Sequence, residues 1–317
     1  MSARTGLSDL HVAILDAVDR ASPAPRTFHK CSHALDLLSE DAGHGPLSAY
    51  EELCALATPW TALLPLLEYA GNFGTPGRDD PAADARYTEC RLSPAGAAAL
   101  AAERGDGPPT PLGLVLGDWF LGGRRPSFGP GRVAEAVRMA AGGDLDGAVQ
   151  ELGPPLFPGG LPVRVSRFGE DPRALEYGWL VTCRIDAELT TGLADIQRRP
   201  AVHVVGVPPG RGPSQLTNQI AELAVAMNRA LGRDVIRDIS DQTTMRDGTR
   251  IEVVAGDGIT AAALEVLLRA LPCMYVELDL QLPRPTRELL AGWVTTHGTA
   301  AALAGADLLA GVAQRQE

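Results

Sequence analysis

Lysine is almost absent: Lys30 stands alone among 28 basic residues, which face 39 acidic ones for a formal net charge of −11. That balance excludes a strongly basic, nonspecific nucleic-acid binder but leaves room for a local basic groove. The arginine bias reads first as GC-rich coding, since the chain is also rich in alanine, glycine and proline. A contact role would need arginines clustered on one face. The five cysteines, Cys31, Cys54, Cys90, Cys183 and Cys273, are scattered and form no C-x-x-C pair. A disulfide framework and a zinc site are therefore not expected, and the thiols read as small buried hydrophobes. No intrinsic metal site is expected from the six histidines either. No apolar run approaches the roughly 18 residues that span a bilayer. Met1 to Asp9 lacks the basic-then-apolar pattern of a leader. The expectation is a soluble cytoplasmic protein with no membrane partner.

What is present is ordinary globular material. Hydrophobic residues make up 45% and charged residues 21% of 317, enough for a sizeable core and, by length, two domains. Leu10, Ile14, Leu15 and Val18 recur at helical spacing until Ala21-Ser22-Pro23-Ala24-Pro25 ends the run. Ala34, Leu35, Leu37 and Leu38 mark a second helix, and Ser48 through Leu56 to Pro59 a third. Three short helices in close succession suit a helix-turn-helix or winged-helix core. Gly71 to Pro81 is a loop, and Arg86 to Leu92 alternates like a strand, followed by an alanine-rich helix after Pro94. Gly105 to Pro111 is the best domain boundary.

Further on, strands are expected at Trp179–Leu189, Val202–Val207, Arg250–Val254 and Tyr275–Leu282, with helices at Leu216–Leu231 and Ala261–Leu271. The alternation implies an α/β layer. Glu288 to Val312 is helical in propensity, and Asp144-Leu145-Asp146 reads as a solvated turn.

Gly71-Asn72-Phe73-Gly74, a Gly/Asp/Pro loop and Arg86-Tyr87-Thr88-Glu89 together resemble the active-site segment of the DNA gyrase and topoisomerase IV A subunits. Other stretches match in the same order. Gly6-Leu7 with His11 and Ile14-Leu15 is similar to the family's first winged-helix segment. His44-Gly45, Tyr50 and Ala57-Thr58-Pro59-Trp60 resemble its recognition-helix segment. Val207-Pro208-Pro209, Ile220-Ala221-Glu222-Leu223, Asp238-Ile239-Ser240-Asp241 and Arg246 to Ile251 resemble its tower domain. The likeness thins after about Pro285.

The resemblance implies an α+β protein. A winged-helix DNA-gate domain (1–107) would carry the tyrosine, a tower-like α/β domain (108–287) would follow, and a helical segment (288–317) would close the chain. It implies that Tyr87 attacks a DNA phosphodiester to form a 5′-phosphotyrosyl bond, with Arg86 as the phosphate clamp. A phenol of pKa near 10 needs a base or positive charge to act as a nucleophile, and an arginine stabilises charge on phosphate oxygens. No cofactor is intrinsic; Mg²⁺ would sit on a TOPRIM/ATPase partner resembling the B protein of gyrase. A homodimer suits a two-strand cut.

Departures from the family pattern mostly remove DNA contacts. Val12-Ala13 stand where the family has two arginines, His44 alone remains of paired histidines, and Leu47 lies near a drug-contacting serine. In the segment Gly117 to Gly123, Phe120 or Leu121 could wedge between bases or could simply be buried. The expected fold lacks most of the family's coiled coil, its second dimer gate and its C-terminal wrapping domain. The DNA contacts left by the resemblance are His44, Lys30, Arg78, Phe120, Leu121, Arg124 and Arg125, with Arg91 a further basic candidate. Weak duplex binding with a shallow salt slope is expected. Two function classes follow: an A-subunit-like topoisomerase acting on DNA with a partner, or a non-catalytic paralogue that binds DNA or a topoisomerase.

Overall fold

The computed structural model describes residues 1–24, 27–41, 46–117, 125–164, 179–186, 199–208, 210–278 and 286–315. Helix α1 (Asp9–Ala21) begins at Ser8, whose hydroxyl accepts from the His11 N–H, and buries Ile14, Leu15 and Val18. Strand β1 (His29–Lys30) leads into α2 (Cys31–Asp41), and α3 (Pro46–Ala57) follows. Strands β2 (Leu67–Ala70) and β3 (Glu89–Leu92) complete an antiparallel sheet in the order β1-β3-β2. Helix α4 (Pro94–Arg104) is capped by the Ser93 hydroxyl and stopped by left-handed Gly105.

Short α5 (Leu112–Leu116), α6 (Pro130–Ala141) and α7 (Leu145–Leu152) come next. The α7 N-cap is Asp144, whose carboxylate accepts from the Gly147 N–H. Asp144-Leu145-Asp146 is thus a helix start, not the solvated turn its flanking glycines suggest.

The second unit is a sheet ordered β4 (Gly160–Arg164), β5 (Trp179–Asp186), β6 (Ala201–Gly206), β8 (Ile251–Ala255), β7 (Ile236–Asp241), with β9 (Tyr275–Leu278) also pairing with β5. Each pairing is antiparallel. Helices α8 (Pro213–Leu231) and α9 (Ala261–Ala270) cover it. The fold is therefore mixed α+β: strand-helix-strand order accompanies antiparallel pairing rather than parallel crossover units. Residues 279–282 of the expected last strand lie outside the described residues.

Two cores form. The second gathers Val202, Val204, Leu216, Ile220, Val253 and Leu264. The first draws on α1 to α4 but also on Val133 and Val137 of α6 and Leu152 of α7. It also takes Leu290 of α10 (Thr286–His297) and Leu309 of α11 (Thr299–Gln314). The first core thus continues past residues 107 and 108, where the boundary is expected, as far as α7. The C-terminal segment packs back on α6 instead of standing apart, and it is two helices, broken at Gly298, where φ is +78°. Fully buried leucines such as Leu53, Leu56 and Leu66 each contribute about 1.5–3 kcal/mol over exposure.

Candidate active site

The sequence from Gly71 to Thr88 folds as a loop tied to itself and to the helices behind it. The Asn72 carbonyl accepts from the Ala83 N–H at 3.0 Å, and Thr75 and Asp80 exchange bonds at 3.1 Å. Tyr50 of α3 donates its hydroxyl to the Ala83 carbonyl at 2.6 Å and lies 2.8 Å from Thr88 Oγ1. Burial pushes the Tyr50 phenol up, so it stays protonated as a strut. The Thr88 and Ala85 carbonyls accept from the first N–H groups of α2, those of Cys31 and Ser32.

Arg86 and Tyr87 do not lie on the strand expected from their alternation. They sit in a turn just ahead of β3, because Asp84 captures the backbone: its Oδ1 accepts from the Arg86 N–H at 3.0 Å, and its carbonyl from the Tyr87 N–H at 2.8 Å. The turn projects Tyr87 outward, 69% exposed, while Thr88 beside it is fully buried. The Arg86 guanidinium carbon lies 5.6 Å from the Tyr87 ring centroid.

Asp84 is the residue that sequence reasoning missed, though its place two residues before Arg86 in a loop is an Asx-turn signal. Its carboxylate takes both edges of the guanidinium, Nε to Oδ1 at 3.0 Å and Nη2 to Oδ2 at 2.8 Å. Those bonds hold the Asp84 carboxyl down at about 2 and raise Arg86. A phosphate reaching Arg86 must displace or share with a carboxylate already seated there.

The other basic candidates follow suit. Lys30 pairs with Glu89 at 2.9 Å, and Arg91 pairs with Glu68 while stacking over Phe28 at 4.3 Å. Arg125 lies far along the chain and its Nη1 meets the Met1 sulfur at 2.7 Å. Lys30, Arg86 and Arg91 cluster around the β1-β3-β2 sheet, each matched by a local carboxylate. His44, Phe120, Leu121 and Arg124 lie outside the described residues. The backbone of Arg78 belongs to the single turn Pro76–Arg78, and its side chain also lies outside them.

Thiols cluster behind the turn. All five cysteines are free. A hydrogen bond from Cys90 lowers the Cys31 thiol, while the same contact and burial push Cys90 up. His29 and His33 stand four residues apart, a spacing that aligns two ligands only within a helix. Here His29 lies in β1, its Nδ1 3.3 Å from the Thr27 carbonyl and its Nε2 4.0 Å from the Cys90 sulfur. The carboxylates of the tyrosine loop do not converge either: Asp84 serves Arg86, and Asp79 accepts from the Ser214 N–H. Among the described residues no group of three or more His, Cys, Asp or Glu could hold a metal.

Residues 6–106, which contain the whole of this site, match the family model for the A subunit of DNA gyrase/topoisomerase IV. The likeness extends further against the DNA gyrase A subunit of Streptomyces coelicolor, 29% identical over 312 residues, covering 88% of this chain and 34% of that protein. The chain is similar in sequence to the gyrase and topoisomerase IV A subunits. The DNA gyrase A subunit of a Nocardioides strain is 42% identical over 93 residues, and the DNA topoisomerase 4 A subunit of a Synechocystis strain 40% over the same length. Each of those shorter matches covers 29% of this chain and 10% of the relative. The chain thus spans about a third or less of the curated gyrase and topoisomerase IV relatives it matches. The family match falls on the first core and its tyrosine loop. Among the described residues no helix is long and apolar enough to cross a membrane.

Proposed function

We propose that this chain is an A-subunit-like component of a type IIA DNA topoisomerase, with Tyr87 as the nucleophile. In this reading α1 to α3 and the β1-β3-β2 sheet are the winged-helix DNA gate, and the antiparallel second unit is the tower. The observation that carries it is the exposed Tyr87 beside Arg86 within the segment that matches the family. The Tyr87 oxygen attacks a backbone phosphorus, the P–O3′ bond breaks, and the phenolic proton passes to solvent as the freed 3′ oxygen gains one. One phosphodiester replaces another, so resealing is the same step reversed and needs no ATP for the chemistry. Arg86, exchanging Asp84 for phosphate, neutralises the non-bridging oxygens. Duplex DNA, a second copy of the chain and a TOPRIM/ATPase protein resembling the B protein of gyrase are the proposed partners; Mg²⁺ would arrive with the last.

The test is plasmid cleavage with detergent trapping, with and without such a partner. Covalent protein–DNA complex is expected only with the partner and Mg²⁺, and Tyr87→Phe should abolish it while the thermal midpoint stays put. A covalent species that survives Tyr87→Phe would refute the assignment; one formed by the chain alone would refute the partner requirement.

One observation favours the second reading, a non-catalytic paralogue that binds DNA or a topoisomerase. Lys30, Arg86 and Arg91 are each already paired with a carboxylate. No duplex binding at low salt, together with capture of a topoisomerase component, would decide for it.

A further inference from the structure

The tip of the tyrosine loop touches the second unit. Helix α8 begins at Gly212, which has no side chain to cap it, and its first turn holds no acidic residue. The four leading N–H groups of a helix need acceptors, and a carboxylate there also meets the positive end of the helix dipole. Asp79 supplies one from 135 residues away: its Oδ2 accepts from the Ser214 N–H at 2.6 Å. The approach is close enough that a Cβ on Gly212 would fall 1.9 Å from Asp79 Oδ1. Beside it Gly77, at φ +77°, lies flat on the same backbone, and a Cβ there would come within 2.4 Å of the Arg211 carbonyl oxygen. Two glycines and one carboxylate thus form a fitted joint at the rim of a cavity of about 270 Å³ between the units.

From this joint we infer that Asp79 is a positioning residue that lets the α/β unit set the placement of Tyr87. The loop transmits the anchor through its own bonds: Asp80 to Thr75, Ala83 to Asn72, then Asp84 to the Tyr87 N–H. Released from α8, the loop keeps its internal bonds, its Tyr50 strut and the packing of Gly77, but among the described residues its tip has no hydrogen bond to the second unit. This inference rests on the reading of Tyr87 as nucleophile for its catalytic half only; the latch itself is independent of it.

The experiment uses the full chain and three variants: Asp79→Ala, Asp79→Asn, whose amide oxygen still accepts from Ser214, and Asp80→Ala as the neighbouring control. Hydrogen exchange reads the latch. Asp79→Ala should speed exchange in peptides covering 75–88 and the start of α8 by about fivefold, the weight of an ordinary N-cap. Asp79→Asn should keep most of the protection, and Asp80→Ala all of it. Unchanged exchange in Asp79→Ala overturns the latch. Covalent trapping with the partner and saturating duplex reads positioning. Asp79→Ala should slow complex formation several-fold at unchanged duplex affinity, with Asp79→Asn largely restored. Faster exchange with an unaltered trapping rate overturns the positioning role. If the wild-type chain forms no covalent complex, the topoisomerase reading fails, and exchange alone decides the latch.

Discussion

Replacing Asp84 by asparagine should turn Arg86 from an occupied cation into a free one. The amide oxygen can still accept from the Arg86 N–H, so the turn that presents Tyr87 persists, while the charge seated on both edges of the guanidinium is removed. Each phosphate neutralised on duplex DNA contributes about 0.9 to the slope of log K against log salt. Asp84→Asn should therefore steepen the slope by about 0.9. Between 200 and 50 mM salt the variant should gain about three- to fourfold more affinity than the parent. Acidification cannot imitate the substitution in the working range, because Arg86 holds the Asp84 carboxyl at about 2. The linkage sign is that of a depressed carboxyl: the pair contributes above the ordinary carboxylate range and is lost as pH falls from about 4 through 2. Fluorescence anisotropy of a labelled duplex, titrated at several salt concentrations, measures the slope. Arg86→Ala in the Asp84→Asn background should return it to the parental value. An unchanged slope in Asp84→Asn, or a steepened one that survives loss of Arg86, would refute Arg86 as a phosphate ligand.

Three further outcomes bear on the first core. Glu52→Ala should cost about 3 kcal/mol or more, visible as a lower calorimetric midpoint. Buried Glu52 is the partner of buried His11 Nε2, whose Nδ1 has no partner among the described residues. Gly96→Ala in α4 should destabilise by about 1–3 kcal/mol despite alanine's better helix propensity, because its Cβ would fall 2.0 Å from the Leu66 carbonyl oxygen. For pH, burial lowers His29, so the unfolded chain binds its proton more readily and stability falls as pH drops below about 6.5. His29→Gln should flatten the change in melting temperature between pH 7.5 and 5.5, and an equally steep profile would show that His29 does not contribute.

Helices whose start and stop chemistry is local were legible in the sequence. Ser8 and Ser93 cap α1 and α4 where the pattern begins, and strands β5, β6 and β8 fall within a few residues of their apolar runs. What escaped was decided over distance. Helix α6 is alanine-rich, so its apolar face became evident only as packing against α7 and α11. The two-residue strand β1 exists because Lys30 meets Glu89 across a gap of some sixty residues in the chain. At the site, the surrounding motif singled out Tyr87 and Arg86. Their turn was not, because alternation along Arg86–Leu92 mimics a strand and only the Asp84 hydrogen bonds break it. Nor could pairing of Lys30, Arg86 and Arg91 be read, since composition counts charges without saying which ones meet.

Because α10 and α11 return to the core that α1 began, the α/β unit is entered after Phe157 and left before Thr286. It is an insertion held at both ends. If it melts first, it becomes a floppy loop of roughly 130 residues closed by an intact neighbour. By polymer statistics that closure costs only about 3 kcal/mol more than a six-residue connection. The first core can therefore outlive the second, and heating should show two separable transitions. The same double attachment means that a proteolytic cut within the insertion leaves both fragments joined through helix packing rather than through the chain.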